Sequence, residues 1–84
     1  MFYVYLLKSL SDNKYYIGQT KDVDKRITEH NSGRIKSTKN RRPFKLIGFE
    51  SYNKRNLARW REFNLKKNSN LRLKFINDLT NKGG

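Results

Sequence analysis

The first twenty residues constrain the fold of this chain more than any other segment. Residues 2–7 (FYVYLL) and 15–20 (YYIGQT) are rich in the aromatic and β-branched side chains that favour strands. The turn-forming connector SLSDNK lies between them, so the pair predicts a β-hairpin. With Tyr5 opposite Tyr16, strand alternation places both phenols on one face. We expect the other face to be the better buried, and it carries Phe2, Val4, Leu6 and Ile17.

The segment from Thr20 to Gly33 predicts a first helix. Thr20 is a suitable N-cap, with Asp22 and Asp24 in the first turn, and Gly33 suits the left-handed position at the C-terminal end. At about 100° per residue, four side chains share one arc of this helix. Val23 and Ile27 would anchor it, and its edge would carry Arg26 and His30.

The C-terminal half predicts a third strand at residues 44–52 and two further helices. Asn53 is the expected cap of the second helix, which runs to about Lys67, and Ser69 or Asn70 is the expected cap of the third. The second helix would bury Leu57, Ala58, Trp60, Phe63 and Leu65. The third would bury Leu71, Phe75, Ile76 and Leu79, before a frayed tail at residues 81–84. The element order is β-β-α-β-α-α: one α+β domain over residues 1–84, ordered at about 2–80, with a small, mostly antiparallel sheet covered by helices.

Charge and composition limit the classes of function. Twenty Lys and Arg residues against seven Asp and Glu give a net charge of +13, which calls for a polyanionic partner, nucleic acid ahead of an anionic membrane surface. One Trp, five Tyr and five Phe argue for a folded domain rather than a disordered basic tail. The absence of cysteine excludes a thiol nucleophile and a thiolate metal site. We see no membrane-spanning run and no signal peptide, and therefore expect a cytoplasmic protein.

Two tripeptides and three later residues form a recognisable set. Tyr3-Val4-Tyr5 and Tyr16-Ile17-Gly18 resemble the two halves of the GIY-YIG signature, with Tyr and Val in place of the first Gly and Ile. They are followed, in order, by Arg26 and His30 in KRITEH and by Glu62 in ARWRE. On these residues the chain resembles the GIY-YIG nuclease domain, in particular its small stand-alone bacterial type, over about residues 2–80.

The resemblance implies a three-stranded antiparallel sheet flanked by helices and metal-dependent hydrolysis of a phosphodiester. Glu62 would hold one divalent metal, Mg²⁺ or Mn²⁺, and the catalytic residues would be Tyr5, Tyr16, Arg26 and His30. The guanidinium of Arg26 matches phosphate geometry, and the positive charges of Arg26 and of a bound metal would together favour the phenolate of a nearby tyrosine. The resemblance favours Tyr5 as the base, although the residues alone leave Tyr5, Tyr16 and His30 open. Gly18 would permit a close approach to the backbone.

The polar loop from Gly33 to Pro43 completes the predicted interface. It would bind phosphates away from the cleaved bond, assisted by the side chains of Ser37, Thr38 and Asn40. Its five cations are Arg34, Lys36, Lys39, Arg41 and Arg42. We expect DNA ahead of RNA as the partner, with a larger protein complex as a source of specificity. The alternative is a weakly catalytic or non-catalytic nucleic-acid-binding module, in which Tyr5 and Tyr16 are a plain cross-strand pair and Glu62 pairs with Lys66 on the helix surface.

Overall fold

The computed structural model describes residues 1–82 and has the predicted α+β architecture. Both strand pairs of its three-stranded sheet are antiparallel, in the order β2-β1-β3. A single 3₁₀ turn, Lys39–Arg41, precedes β3. The elements are β1 Phe2–Ser9, β2 Tyr15–Thr20, α1 Val23–Ser32, β3 Phe44–Tyr52, α2 Arg55–Lys67 and α3 Ser69–Lys82. Within residues 1–82, no helix has the length and apolar character required to cross a bilayer.

The hairpin forms as predicted, but its register differs by two residues. Tyr5 pairs with Gly18, and Tyr16 pairs with Leu7, because the turn is centred one residue later than predicted, with the backbone N–H of Ser9 donating to the carbonyl of Lys14. The prediction that Tyr5 lies directly opposite Tyr16 is therefore wrong. A shift of two residues preserves the alternation of faces, so the two phenols still share a face as diagonal neighbours.

One face of the sheet carries the apolar core. Val4, Leu6 and Ile17 are buried there, as predicted. Helices α2 and α3 cover this face with four side chains, which are Ala58, Leu65, Phe75 and Leu79.

The predicted buried face of α2 is partly wrong. Only Ala58 and Leu65 are buried, whereas Leu57, Trp60 and Phe63 are 43%, 67% and 60% exposed. Ala58 and Leu65 are seven residues apart and so lie on one line of the helix, towards the sheet. At about 100° per residue, Trp60 and Phe63 point in roughly the opposite direction. Leu71 of α3, also predicted to be buried, is 37% exposed.

The helix ends differ from prediction mainly at the caps. Asp22, not Thr20, caps α1 by accepting from the N–H of Lys25, because Thr20 remains in β2. At the other end, Gly33 adopts φ 84°, which confirms the left-handed termination.

The caps of α2 and α3 are each displaced by one or two residues. Lys54 rather than Asn53 precedes α2, without a side-chain cap. Asn68 caps α3, because its Oδ1 accepts from the N–H groups of Asn70 and Leu71. Helix α3 continues through Asn81 and Lys82, two residues into the predicted tail, and residues 83–84 lie outside the described part of the chain.

Candidate active site

Tyr5 is the centre of the polar cluster on the second face of the sheet. Its side chain is buried, and its Oη lies 2.9 Å from Nε2 of His30. Nε of Arg26 donates to the same oxygen over 3.4 Å. Strand β1 positions the phenol, and α1 supplies both partners four residues apart, which is one helical turn.

His30 connects Tyr5 to the loop after α1. Its ring is fully buried, and Nδ1 lies 2.8 Å from Oγ1 of Thr38, whose hydroxyl donates to the carbonyl of Ile35 over 3.4 Å. With the hydroxyl hydrogen of Thr38 directed at Ile35, we assign the His30 proton to Nδ1, which then donates to Thr38, so that Nε2 accepts from Tyr5. The hydrogen bonds thus run in one direction, from Arg26 through Tyr5 and His30 to Thr38.

Burial controls the protonation of the two central groups. It lowers the pKa of His30 to about 4, with the positive charge of Arg26 acting in the same direction, so the imidazole is neutral at pH 7. Burial likewise raises the pKa of Tyr5 to about 12, and the hydrogen bond from Arg26 opposes this only in part. Arg26 thus acts in the predicted direction, because its hydrogen bond and charge lower the pKa of Tyr5, but desolvation of the phenolate outweighs it and the phenol stays protonated in the resting protein.

Tyr16 and Gly18 form the β2 side of the cluster. The Tyr16 ring packs edge-on against His30 with centroids 4.9 Å apart, and its centroid lies 6.3 Å from that of Tyr5. A Cβ atom at Gly18 would lie 2.6 Å from Cζ of Tyr5, far inside van der Waals contact. The close approach expected at Gly18 is therefore made by the ring of Tyr5.

Glu62 reaches this cluster from α2. Its Oε2 lies 3.0 Å from Nζ of Lys66, and that ammonium lies 5.5 Å from the Tyr16 ring centroid. The charge of Glu62 is also one of the contributions that raise the pKa of Tyr5. Because β2 is an edge strand, α2 can pack on the apolar face and still present Glu62 and Lys66 to Tyr16 around that edge. The structure thus brings Tyr5, Tyr16, Arg26 and His30 into one contact cluster, and Glu62 lies beside its Tyr16 end through Lys66.

The donor set suits a hard divalent cation held mainly by non-protein ligands. Within residues 1–82, no three His, Cys, Asp or Glu side chains cluster as a metal site built wholly of protein ligands would require. Glu62 offers a single carboxylate, whose side chain is 22% exposed and already holds one cationic group, the Lys66 ammonium. Mg²⁺ commonly binds through one or two carboxylates, with waters and phosphate oxygens completing the shell. Glu62 therefore fits the predicted role.

The basic loop divides into structural and outward-facing cations. Nε of Arg41 donates to Oδ2 of Asp12 over 2.8 Å and holds the pKa of that carboxyl at about 2. Nε of Arg42 donates to the carbonyl of Lys39. Thr38 is buried against His30, so its predicted contact with phosphate is wrong. The exposed side chains of Arg34, Lys36 and Lys39 have no side-chain hydrogen bond or ion pair within the described residues.

Sequence reasoning missed Glu29 as a member of the site, and it assigned Thr38 to phosphate rather than to His30. Oε1 of Glu29 lies 3.5 Å from Nη1 of Arg26. The i,i+3 spacing of that pair was available in the sequence, whereas nothing local marked Thr38 as a partner of His30. Arg26 also lines a cleft of about 280 Å³, whose other charged residues are the cations Lys21, Lys25 and Arg55 and the carboxylates Asp22 and Glu29, so its guanidinium can be reached from this cleft.

Comparison with known proteins gives one consistent result. The family model described as the GIY-YIG catalytic domain matches residues 1–75. A UPF0213 protein of Listeria monocytogenes serotype 4b (strain F2365) is 50% identical over 66 residues, covering 77% of this chain and 73% of the relative. A UPF0213 protein of Haloquadratum walsbyi is 42% identical over 65 residues, covering 76% and 72%. The solution NMR structure of a UPF0213 protein from Bacillus halodurans superposes with a TM-score of 0.57 at 34% identity, covering 94% of this chain and 85% of that one.

Proposed function

Because this chain belongs to the GIY-YIG family, a nuclease-like family, we propose that it is a metal-dependent endonuclease that hydrolyses phosphodiester bonds in DNA. The observation that carries the proposal is the continuous set of buried contacts from Arg26 through Tyr5 to His30. A protein that only binds nucleic acid has no need of a buried tyrosine that is hydrogen-bonded to both an arginine and a neutral imidazole. The net charge of +13 supports a nucleic-acid substrate.

Arg26 is the proposed phosphate-binding group. Its guanidinium can donate to a phosphoryl oxygen from the cleft that it lines, while its Nε remains bonded to Tyr5. Donors placed in advance around a developing negative charge stabilise the transition state without reorganisation. The contact with Glu29 restrains the guanidinium from the other side.

Tyr5 and His30 are the proposed proton relay. With a pKa of about 12, Tyr5 is ionised in only about one molecule in 10⁵ at pH 7, so a standing phenolate is a poor base. Instead, Tyr5 Oη accepts the proton of the attacking water as its own proton passes to Nε2 of His30. The hydrogen bond from His30 to Thr38 keeps Nε2 free to accept that proton.

Glu62 is the proposed metal-binding residue. When bound, Mg²⁺ or Mn²⁺ supplies positive charge to the phosphoryl and leaving oxygens, which metal ions stabilise by several kcal/mol. Lys66 holds the carboxylate in an i,i+4 pair on the side of Tyr16. Tyr16 packs against His30 and keeps the imidazole aligned with Tyr5.

The test is cleavage of branched, nicked, duplex and single-stranded substrates with Mg²⁺, Mn²⁺ or EDTA. We expect cleavage that EDTA abolishes, and at least a hundredfold loss in Tyr5→Phe, which removes the relay hydroxyl and keeps the ring. Tyr3→Phe is the matched control, on the same strand and the same face, and should retain activity. If no substrate is cleaved in a metal-dependent way although DNA binds, the protein is the binding module instead.

A further inference from the structure

The outer face of α2 exposes two aromatic side chains that the proposed chemistry does not use. Trp60 and Phe63 are 67% and 60% exposed, and they are three residues apart, so they share one side of the helix. Packing does not account for them, because Ala58 and Leu65 make the contact of α2 with the core. Exposed aromatic pairs on a small protein typically mark a binding surface.

The surroundings of these rings are cationic. Nζ of Lys67 lies 5.5 Å from the Phe63 ring centroid, and Arg59 lies on the same flank of the helix. Glu62 is the one acidic residue of α2, and it points towards the site rather than along the outer face. An occupant of this face must therefore be anionic and must also offer flat apolar surfaces.

An open groove joins the aromatic face to the candidate active site. It has a volume of about 470 Å³, and its lining runs from Glu62 to Phe63. The other lining residues are Arg59, Lys66 and Lys67, which are all cations. A phosphate chain held near Glu62 can therefore continue through this groove and bring its next base to Phe63, and Trp60 is the neighbouring exposed aromatic side chain on the outer face of the helix.

We propose that Trp60 and Phe63, flanked by Arg59 and Lys67, form a stacking face for unpaired nucleobases beside the scissile bond. This inference rests on the proposed function and names its substrate class, nucleic acid with unpaired nucleotides next to the cut. In a duplex the flat faces of the bases are covered by their neighbours, whereas an unpaired base offers its face to an aromatic ring. Stacking is tolerant of sequence, which suits a surface with few hydrogen-bonding groups.

The first experiment uses Trp60 as its own reporter, because it is the single tryptophan of the chain. Intrinsic fluorescence is followed while Glu62→Gln protein is titrated with a single-stranded oligonucleotide, the blunt duplex of the same sequence, or heparin. We expect strong quenching by the single strand and weak quenching by duplex and heparin at equal occupancy. Equal quenching by single strand and duplex would overturn the stacking face.

The second experiment separates stacking from general apolar contact. Trp60→Ala and Trp60→Leu should each weaken single-strand binding about tenfold and duplex binding by less than about twofold, whereas Trp60→Phe should retain most of the affinity. Leu73→Ala, at a position 58% exposed on α3, is the matched control and should change neither. Two results would instead indicate an apolar protein interface and would contradict the proposal. One is wild-type affinity for the single strand in Trp60→Leu, and the other is self-association that Trp60→Ala abolishes.

These outcomes are distinct from a failure of the endonuclease. The titrations require no turnover, so the stacking face survives if wild-type protein binds single strands through Trp60 and cleaves nothing. The proposed stacking face is contradicted if wild-type protein cleaves a perfectly paired blunt duplex as fast as a substrate with unpaired nucleotides. Thermal midpoints of the Trp60 variants within about 2 °C of the wild type confirm that the fold is intact, since the side chain is largely exposed.

Discussion

Both faces of the sheet contain fully buried side chains, but the two faces are held together in different ways. On the apolar face, Val4 and Leu6 are 0% exposed and belong to a cluster of buried hydrophobic side chains. On the other face, Tyr5 and His30 are 1% and 0% exposed, and their polar atoms form an ordered chain of hydrogen bonds. Within the described residues, no buried side-chain nitrogen or oxygen lacks a partner.

The two faces differ in the side-chain substitutions that each can accept. An apolar core accepts side chains of similar volume at modest cost, because dispersion and burial have no direction. A buried polar chain accepts few replacements, since each missing partner leaves a donor or acceptor unpaired in a medium of low polarity. We therefore expect the apolar face to control stability and the polar face to control chemistry and pH response.

The largest effect on stability should come from the apolar face. Phe75→Ala removes a fully buried ring and should lower the free energy of unfolding by about 3–5 kcal/mol, whereas Phe75→Leu should cost about 1.5 kcal/mol or less. Urea denaturation measures both. Cleavage per folded molecule should be unchanged in Phe75→Leu; a large loss of activity without a loss of stability would mean that the two faces are not separate.

The polar face should make stability depend on pH. The pKa of His30 is about 4 in the fold and about 6.5 in the unfolded chain, so between these values the unfolded chain binds the extra proton. The contribution of neutral His30 to the free energy of unfolding is fully present above about pH 6.5 and is lost as the pH falls to about 4. It amounts to about 2–3 kcal/mol.

His30→Gln isolates this effect, because it removes the titrating group and keeps a polar side chain. The free energy of unfolding, measured at intervals from pH 7 to pH 4, should decline less steeply in the variant than in the wild type by that amount. The ion pair of Asp12 with Arg41 titrates below this window, since it holds the pKa of Asp12 at about 2. Parallel curves for the two proteins would show that His30 is not buried in its neutral form.

The smallest effect should come from the exposed loop, which belongs to neither face. Replacing Arg34, Lys36 and Lys39 together by Ala should reduce the slope of log affinity against log salt by up to about 3, with little change in stability. Arg41→Ala should instead lower the stability and leave the salt slope nearly unchanged, because the Arg41 side chain is bound to Asp12 and to the carbonyl of Tyr15. If only Arg41→Ala lowered the slope of log affinity against log salt, the phosphate contacts would belong to Arg41 and not to Arg34, Lys36 and Lys39.

The sequence correctly predicted features that follow from a repeating pattern of side chains. It failed for features that depend on contacts between residues far apart in the chain. Alternation placed Tyr5 and Tyr16 on one face, and the bounds of β2 and β3 were correct. The hairpin register was not predicted, because it depends on how Ser9 and Lys14 close the turn.

For α2 and α1 the missing information was tertiary. Helical spacing groups apolar residues but does not reveal which arc the sheet covers, so Trp60 and Phe63 were assigned to the core. The pairing of His30 with Thr38 depends on the path of an irregular loop, which no local pattern encodes. The site residues themselves were identified by their resemblance to a family motif, not by periodicity.

The most direct test of the active-site assignment is Mg²⁺-dependent cleavage by Glu62→Gln beside Asp78→Asn. Both carboxylates form i,i+4 ion pairs with a lysine on a helix, but Asp78 lies on α3 with Lys74 and is not one of the proposed site residues. Glu62→Gln should lose at least about a hundredfold in rate, since each 1.4 kcal/mol is about tenfold, while DNA affinity and the thermal midpoint are preserved. Asp78→Asn should match the wild type. Full activity in Glu62→Gln, or equal losses in both variants, would contradict the assignment of Glu62 as the metal-binding residue of this site.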